Sequence, residues 1–138
     1  MKTVRIQREP IDGAALLKGL GTAKDGAVLT FTGTARGLSR GKEVTHLHYE
    51  AYEAMALKEL HRIADEAAAR WAVTGCLIVH RTGRVEIGEA SVLIAVASPH
   101  REEGFASLRY IIDAIKKTVP VWKKEFYADG SAWISEGA

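Results

Sequence analysis

The amino-acid sequence predicts an α+β fold: a mainly antiparallel sheet, two long helices packed on it and a C-terminal β-hairpin. Three observations carry this. Residues 53–71 and 101–119 repeat apolar side chains at spacings of three and four, the period of a helix with one buried face. Much of the remaining chain falls into short apolar or alternating runs bounded by glycine or proline, the pattern of strands. Many of these runs follow one another through short turns, which favours antiparallel pairing.

Taken in order, Thr3–Gln7 alternates and reads as a strand. Asp12 caps a short helix through Gly19, with Ile11, Leu16 and Leu17 as its apolar side. A polar connection, 19–26, leads to Ala27–Ala35 (AVLTFTGTA), a strand with Leu29 and Phe31 on one face and threonines on the other. RGLSRGK, 36–42, reads as a mobile loop, and Val44–Tyr52 alternates again. In the helix 53–71 the buried stripe is Ala56, Leu60, Ile63, Ala67 and Trp71. Cys76–His80 is an apolar strand, and a second short one lies between Gly83 and Gly88. Ser91–Ser98 (SVLIAVAS) is apolar on both faces, which places it centrally in a sheet. The helix 101–119 carries Phe105, Leu108, Ile112, Ile115 and Val119 as its stripe, and Pro120 ends it. Val121–Tyr127, a turn at Asp129–Gly130 and Ser131–Ser135 make the final hairpin. The pattern does not fix the strand order.

Composition bounds the function. At 138 residues the chain fits one domain, 1–138. A domain of this size buries roughly two thirds of its unfolded surface and needs no disulfide or metal staple. Nineteen Lys and Arg against seventeen Asp and Glu give a net charge of +2, too balanced for a general nucleic-acid binder, so any basic site is local. Cys76 is the sole cysteine; no intrachain disulfide is possible, and a reducing cytoplasm is the natural compartment. The opening MKTVRIQREP has no apolar core of a signal peptide, and no run reaches the length of a membrane span.

Three stretches could carry chemistry. In IKKTVPVWKKE, 115–125, Lys116 and Lys117 fall in the last helical turn. After Pro120, Val121, Lys123 and Glu125 share one strand face, and Trp122, Lys124 and Phe126 the other. A helix-end lysine and a strand lysine can thus converge across one turn, with Pro120 and Trp122 as a rigid wedge. Lys117 and Lys124 are equally well read as a helix-dipole partner and an edge-strand guard. In SPHRE, 98–102, His100 and Arg101 open a helix where free backbone N–H groups bind anions; a plain polar cap is the competing reading. FTGTARGLSRGK, 31–42, is glycine-rich and basic but lacks the P-loop spacing, and a hairpin with solvated cations fits as well. His46 and His48 share a strand face, yet no third metal ligand stands at suitable spacing, so no metal is expected. His80 and Arg81 in HRTG either orient a loop or mark a site, Cys76 reads as an inert buried thiol, and no G-x-S-x-G supports serine catalysis.

Together FTGTAR (31–36), YEAY (49–52) with Met55-Ala56 just after, HRTG (80–83), SPHR (98–101), KKTVPVWKKE (116–125) and GSAW (130–133) resemble the large, catalytic subunit of molybdopterin synthase. The resemblance runs from about residue 27 to residue 133, and the lysine–proline–tryptophan–lysine segment is its specific part. It implies an α/β-hammerhead type of fold and a sulfur transferase of molybdenum cofactor biosynthesis. Such an enzyme converts cyclic pyranopterin monophosphate (precursor Z) to molybdopterin by installing a dithiolene. The sulfur comes from the C-terminal Gly-Gly thiocarboxylate of a small ubiquitin-like sulfur-carrier subunit, in a 2:2 heterotetramer built on a homodimer. No cofactor, nucleic acid or membrane is implied. Carried over residue by residue, Lys116 and Lys123 match the active-site lysines. Arg36, His100 and Arg101 match substrate-pocket residues, with Thr34 and Ala35 beside Arg36 in the same motif and Lys124 and Glu125 beside Lys123. Two departures stand out: Ala35 replaces a larger β-branched residue, and the stretch after Trp133 is shorter than the family's usual tail. The competing class is a non-catalytic phosphate- or nucleotide-binding module using the same basic loop and SPHR turn.

Overall fold

The computed structural model describes residues 1–137. These form, in order, β1 (Lys2–Gln7), α1 (Gly13–Leu17), β2 (Ala27–Thr34), β3 (Leu38–Ser39), β4 (Lys42–Ala51), α2 (Glu53–Arg70), β5 (Gly75–Arg81), β6 (Gly83–Glu86), β7 (Ala90–Ser98), α3 (Arg101–Thr118), β8 (Val121–Tyr127) and β9 (Ala132–Glu136). The strands sort into two sheets. The first has the order β1-β5-β7-β2, antiparallel except for the parallel β1–β5 pair. The second has the order β3-β4-β8-β9, with β6 also paired to β4, and is antiparallel throughout. The expected α+β architecture with mainly antiparallel strands, two long helices and a terminal hairpin is present, divided between two sheets.

Alternation along β5 and β7 explains why both strands are buried on both faces. Cys76, Ile78, Val92, Ile94 and Val96 face α2 and α3, joining Leu60, Ile63, Ile111 and Ile115 in the main core. Leu77, Val79, Leu93 and Ala95 face the other way and are covered by Ile11, Leu16, Leu17 and Leu20 in and around α1. The chain crosses from the first sheet to the second at Thr82–Gly83, where Gly83 takes φ 79°, a left-handed conformation that suits glycine. It returns through the turn between β6 and β7.

Three sequence expectations change. α1 stops at Leu17, because Lys18 leaves helical geometry and Gly19 has φ 77°. The stretch 36–42 is no mobile loop but part of a tight hairpin: Ser39 pairs with Lys42, and Arg40 and Gly41 take φ 55° and 75°, the two positive values of a type I′ turn. The Arg40 guanidinium then lies 3.7 Å over the Trp133 ring, tying this hairpin to β9. Finally, the buried face of α3 is Gly104, Ser107, Leu108, Ile111, Ile112 and Ile115, and Phe105 is exposed. Helical phase turns Phe105 away from the side on which Gly104 meets β2, where a Cβ would stand 2.4 Å from Leu29 Cδ1.

Candidate functional site

Residues of both sheets and of the C-terminal part of α3 meet at one place. There a cavity of about 240 Å³ opens, walled by β2, β4, β5, β7, α3 and β8. Its cationic groups come from three separate places. Lys116 lies one turn beyond Ile112 on α3, and helical spacing puts both on the cavity wall. The Val119 N–H makes the last helical bond, to the Ile115 carbonyl, and Pro120, which has no N–H, turns the chain into β8. Strand alternation then brings Lys123 and Glu125 to the cavity. Arg36 completes the set from just beyond β2. Here β2 carries a bulge between Gly33 and Thr34, which brings these consecutive residues to the same wall. Gly33 is needed there, since a Cβ would stand 2.7 Å from Val92 Cγ1.

The floor is polar and buried: Tyr49, His80, Ser91 and Glu125 are each less than a tenth exposed. Burial of such groups is tolerable when they have partners. Ser91 Oγ donates to the Gly33 carbonyl at 3.2 Å. The His80 and Tyr49 rings meet edge to face at 5.3 Å. His80 Nδ1 lies 2.7 Å from the Arg81 carbonyl; a carbonyl can only accept, so Nδ1 carries the proton. Burial pushes the His80 pKa down, leaving the ring neutral with Nε2 as its lone pair. Burial pushes the Tyr49 phenol up, keeping it protonated. Glu125 Oε1 accepts from the Ser39 and Tyr127 hydroxyls, both at 3.0 Å. The wall thus sets Arg36, Lys116 and Lys123 against one carboxylate, a local excess of positive charge in a nearly neutral chain.

Thr34, Arg36, Lys116, Lys123 and Glu125 are therefore brought together. Four other candidates are not. The Ala35 side chain is buried in the main core, and its N–H and carbonyl bond to Glu89 O at 2.9 Å and Gly88 N at 2.8 Å. Lys124 points to the other face of β8, where its ammonium lies 4.8 Å over the Phe126 ring. His100 and Arg101 are exposed at the opposite end of α3, and at 1.5 Å per residue Arg101 is about 22 Å from Lys116 along the axis. The His100 side chain makes no capping bond. Ser91 is a site residue that strand patterns do not signal; Tyr49 and His80 enter the sequence reading only as parts of YEAY and HRTG.

The other sequence candidates have structural accounts. His46 stacks on Phe126 at 4.4 Å, and His48 lies 3.6 Å from Glu50. Among the described residues, no group of three or more His, Cys, Asp or Glu is placed to hold a metal ion. Cys76 is buried away from the cavity, and desolvation pushes its thiol up to about 11. Among the described residues, no helix is long and apolar enough to cross a membrane.

The fold and the cavity together define an α+β protein with a cationic cavity over a buried polar floor. The MoaE protein family matches residues 6–118, and the chain belongs to that family. It is 41% identical to the molybdopterin synthase catalytic subunit of Bacillus subtilis (strain 168) over 136 residues, spanning 99% of this chain and 87% of that one. The crystal structure of molybdopterin synthase from Staphylococcus aureus superposes with a TM-score of 0.88 at 39% identity, covering 94% of each chain. A complex of subunits 1 and 2 of the molybdopterin-converting factor from Helicobacter pylori shares the fold, with a TM-score of 0.74 at 22% identity, over 91% of this chain and 86% of that one.

Proposed function

We propose that the cavity is the active site of a molybdopterin synthase catalytic subunit, where cyclic pyranopterin monophosphate receives two sulfurs. One observation carries the reading: Arg36, Lys116 and Lys123, brought in by the end of β2, by α3 and by β8, line one cavity with a buried polar floor. The cyclic phosphate is anionic, and Arg36 offers it a planar two-pronged donor. The flat heterocycle fits the floor, where Tyr49, Ser91, neutral His80 and Glu125 supply donors and acceptors. Thr34 lies beside Arg36 in the same wall.

Sulfur arrives as the C-terminal Gly-Gly thiocarboxylate of a small ubiquitin-like partner, its tail entering from the open side. Water then adds to the acyl carbon of the thioester formed between this sulfur and the pterin, which develops negative charge on oxygen before the partner leaves as its carboxylate and the sulfur stays on the pterin; opening the cyclic phosphate develops charge on the departing phosphate oxygen. The Lys116 and Lys123 ammoniums stabilise both. The proposed assembly is a homodimer within a 2:2 heterotetramer. His100 and Arg101 reach such a site only from a second copy of the chain, given their distance from Lys116 along α3.

A single-turnover conversion with thiocarboxylated partner, run on four lysine variants, tests this. Lys116→Ala and Lys123→Ala should each lose on the order of 10²–10³ in rate while still folding and binding the partner, the scale for removing a preorganised donor. Lys117→Ala, off the cavity, and Lys124→Ala, on the outer face of β8, should stay within a few-fold. If Lys116→Ala and Lys123→Ala convert normally, the site is misplaced.

A further inference from the structure

Arg81, the second residue of HRTG, has no part in the chemistry above, yet it is a charged side chain only 5% exposed. Such burial is costly unless every donor is used. Arg81 Nε and Nη2 donate to the Arg8 carbonyl at 3.2 and 2.9 Å, and Nη2 also to the Arg84 carbonyl at 3.1 Å. Nη1 donates to Glu89 Oε1 at 3.1 Å. The same carboxylate oxygen accepts the Glu86 N–H at 2.8 Å, closing the turn between β6 and β7.

That turn holds the cavity wall from behind. It takes both backbone groups of Ala35, through Glu89 O and Gly88 N, while the Ala35 side chain is locked in the core. Thr34 and Arg36, the residues on either side of this pivot, both line the cavity. On the far side of Arg36, the Gly37 carbonyl accepts the Val44 N–H at 3.0 Å. Arg36 is thus mounted between two anchors, one of which is the turn braced by Arg81. A long guanidinium side chain binds an anion well only when its backbone is fixed, because misplacement by a fraction of an ångström forfeits the two-pronged geometry.

We infer that Arg81 and Glu89 form a clamp that positions Arg36, and thereby set the affinity for the phosphorylated substrate without touching it. The inference rests on the cavity reading given above. Neither clamp residue lines the cavity, so both are positioning residues.

A double-mutant cycle tests the clamp, using steady-state conversion of cyclic pyranopterin monophosphate by the assembled complex with thiocarboxylated partner. Glu89 is about a third exposed, so its truncation leaves no buried hole. Glu89→Ala should raise KM on the order of tenfold, with kcat changed by less than about threefold. Glu89→Gln, which keeps an acceptor oxygen for Arg81 and Glu86, should recover part of the loss. In an Arg36→Ala background, adding Glu89→Ala should change KM by less than about twofold, because the residue it positions is gone. Should Glu89→Ala fail to fold, the same cycle is run with Glu89→Leu, which keeps the bulk and removes the acceptor. A normal KM in folded Glu89→Ala or Glu89→Leu, or an equal loss with and without Arg36, overturns the clamp while leaving the cavity reading intact. Unchanged conversion by Arg36→Ala overturns the cavity reading and the clamp with it.

Discussion

Cys76 and the two cavity lysines show how environment decides what a reactive side chain does. Cys76 sits in β5 facing the main core, and burial pushes its thiol up to about 11, so at neutral pH it stays protonated and is a poor nucleophile. Native protein at pH 8 should therefore resist a thiol reagent that labels Cys76 fully once the chain is unfolded. Cys76→Ala should keep its conversion activity, with at most about 1–2 kcal/mol lost to the small void. A folded but inactive Cys76→Ala protein would show that sulfur passes through this chain. The lysines were legible because their positions follow from simple periods: Lys116 from helical phase and Lys123 from strand alternation, with Pro120 fixing where one period yields to the other. Ser91 was not, and Tyr49 was so only as part of YEAY, because the two become neighbours only where β4 and β7, members of different sheets, line the cavity. Ala35 failed as a contact because its side chain alternates inward and its backbone is already used.

At the scale of elements, the long helices and the paired strands were readable from local pattern. The phase of α3 was off at Phe105, because a buried Gly104 carries no hydrophobic signal although it sets the approach of helix to strand. The terminal hairpin offers a pH test. Its turn places Gly130 at φ 87°, with the Gly130 N–H on the Tyr127 carbonyl and the Tyr127 N–H on the Ser131 carbonyl. Asp129 braces the turn: the Ser131 hydroxyl and N–H donate to one carboxylate oxygen, and Lys42 lies 3.1 Å from the other. These partners, the Ser131 hydroxyl foremost, hold the Asp129 pKa at about 2 against an ordinary 3.8. A depressed folded-state pKa contributes stability that is fully present above the unfolded value and is lost as pH falls through the folded one. The Asp129 carboxyl should thus titrate near 2 by NMR, and Asp129→Asn should be less stable than the parent at pH 7, with the gap closing as pH falls from about 4 to 2. Titration near the ordinary value would remove this role for the carboxylate.

For the whole molecule, what local pattern could not show is the division into two sheets, because β5 enters the first sheet and β6 the second across a single glycine turn. That division creates the cavity, and it also leaves apolar groups uncovered. Trp133 and Ile134 on the edge strand β9, Tyr52 and Met55 at the start of α2, and Val28 and Phe105 near the other end of the molecule are all exposed large hydrophobic side chains. Such groups, in several separate places, suit a chain with more than one protein neighbour, and the proposed assembly supplies two, a second copy and the small partner. Within the proposed reading His100 and Arg101 add a reason for the second copy, since they lie some 22 Å along α3 from Lys116 while the resemblance matches SPHR to the substrate pocket. The isolated chain should therefore sediment as a homodimer, and addition of the small partner should shift it to a 2:2 complex. Mixing Lys116→Ala chains with Arg101→Ala chains should then restore part of the activity that each variant lacks, because a mixed dimer keeps one site with both residues intact. A stable 1:1 complex at working concentration would reject the stoichiometry. Failure of complementation in verified mixed dimers would place Arg101 in the same chain's function as Lys116, outside any shared site.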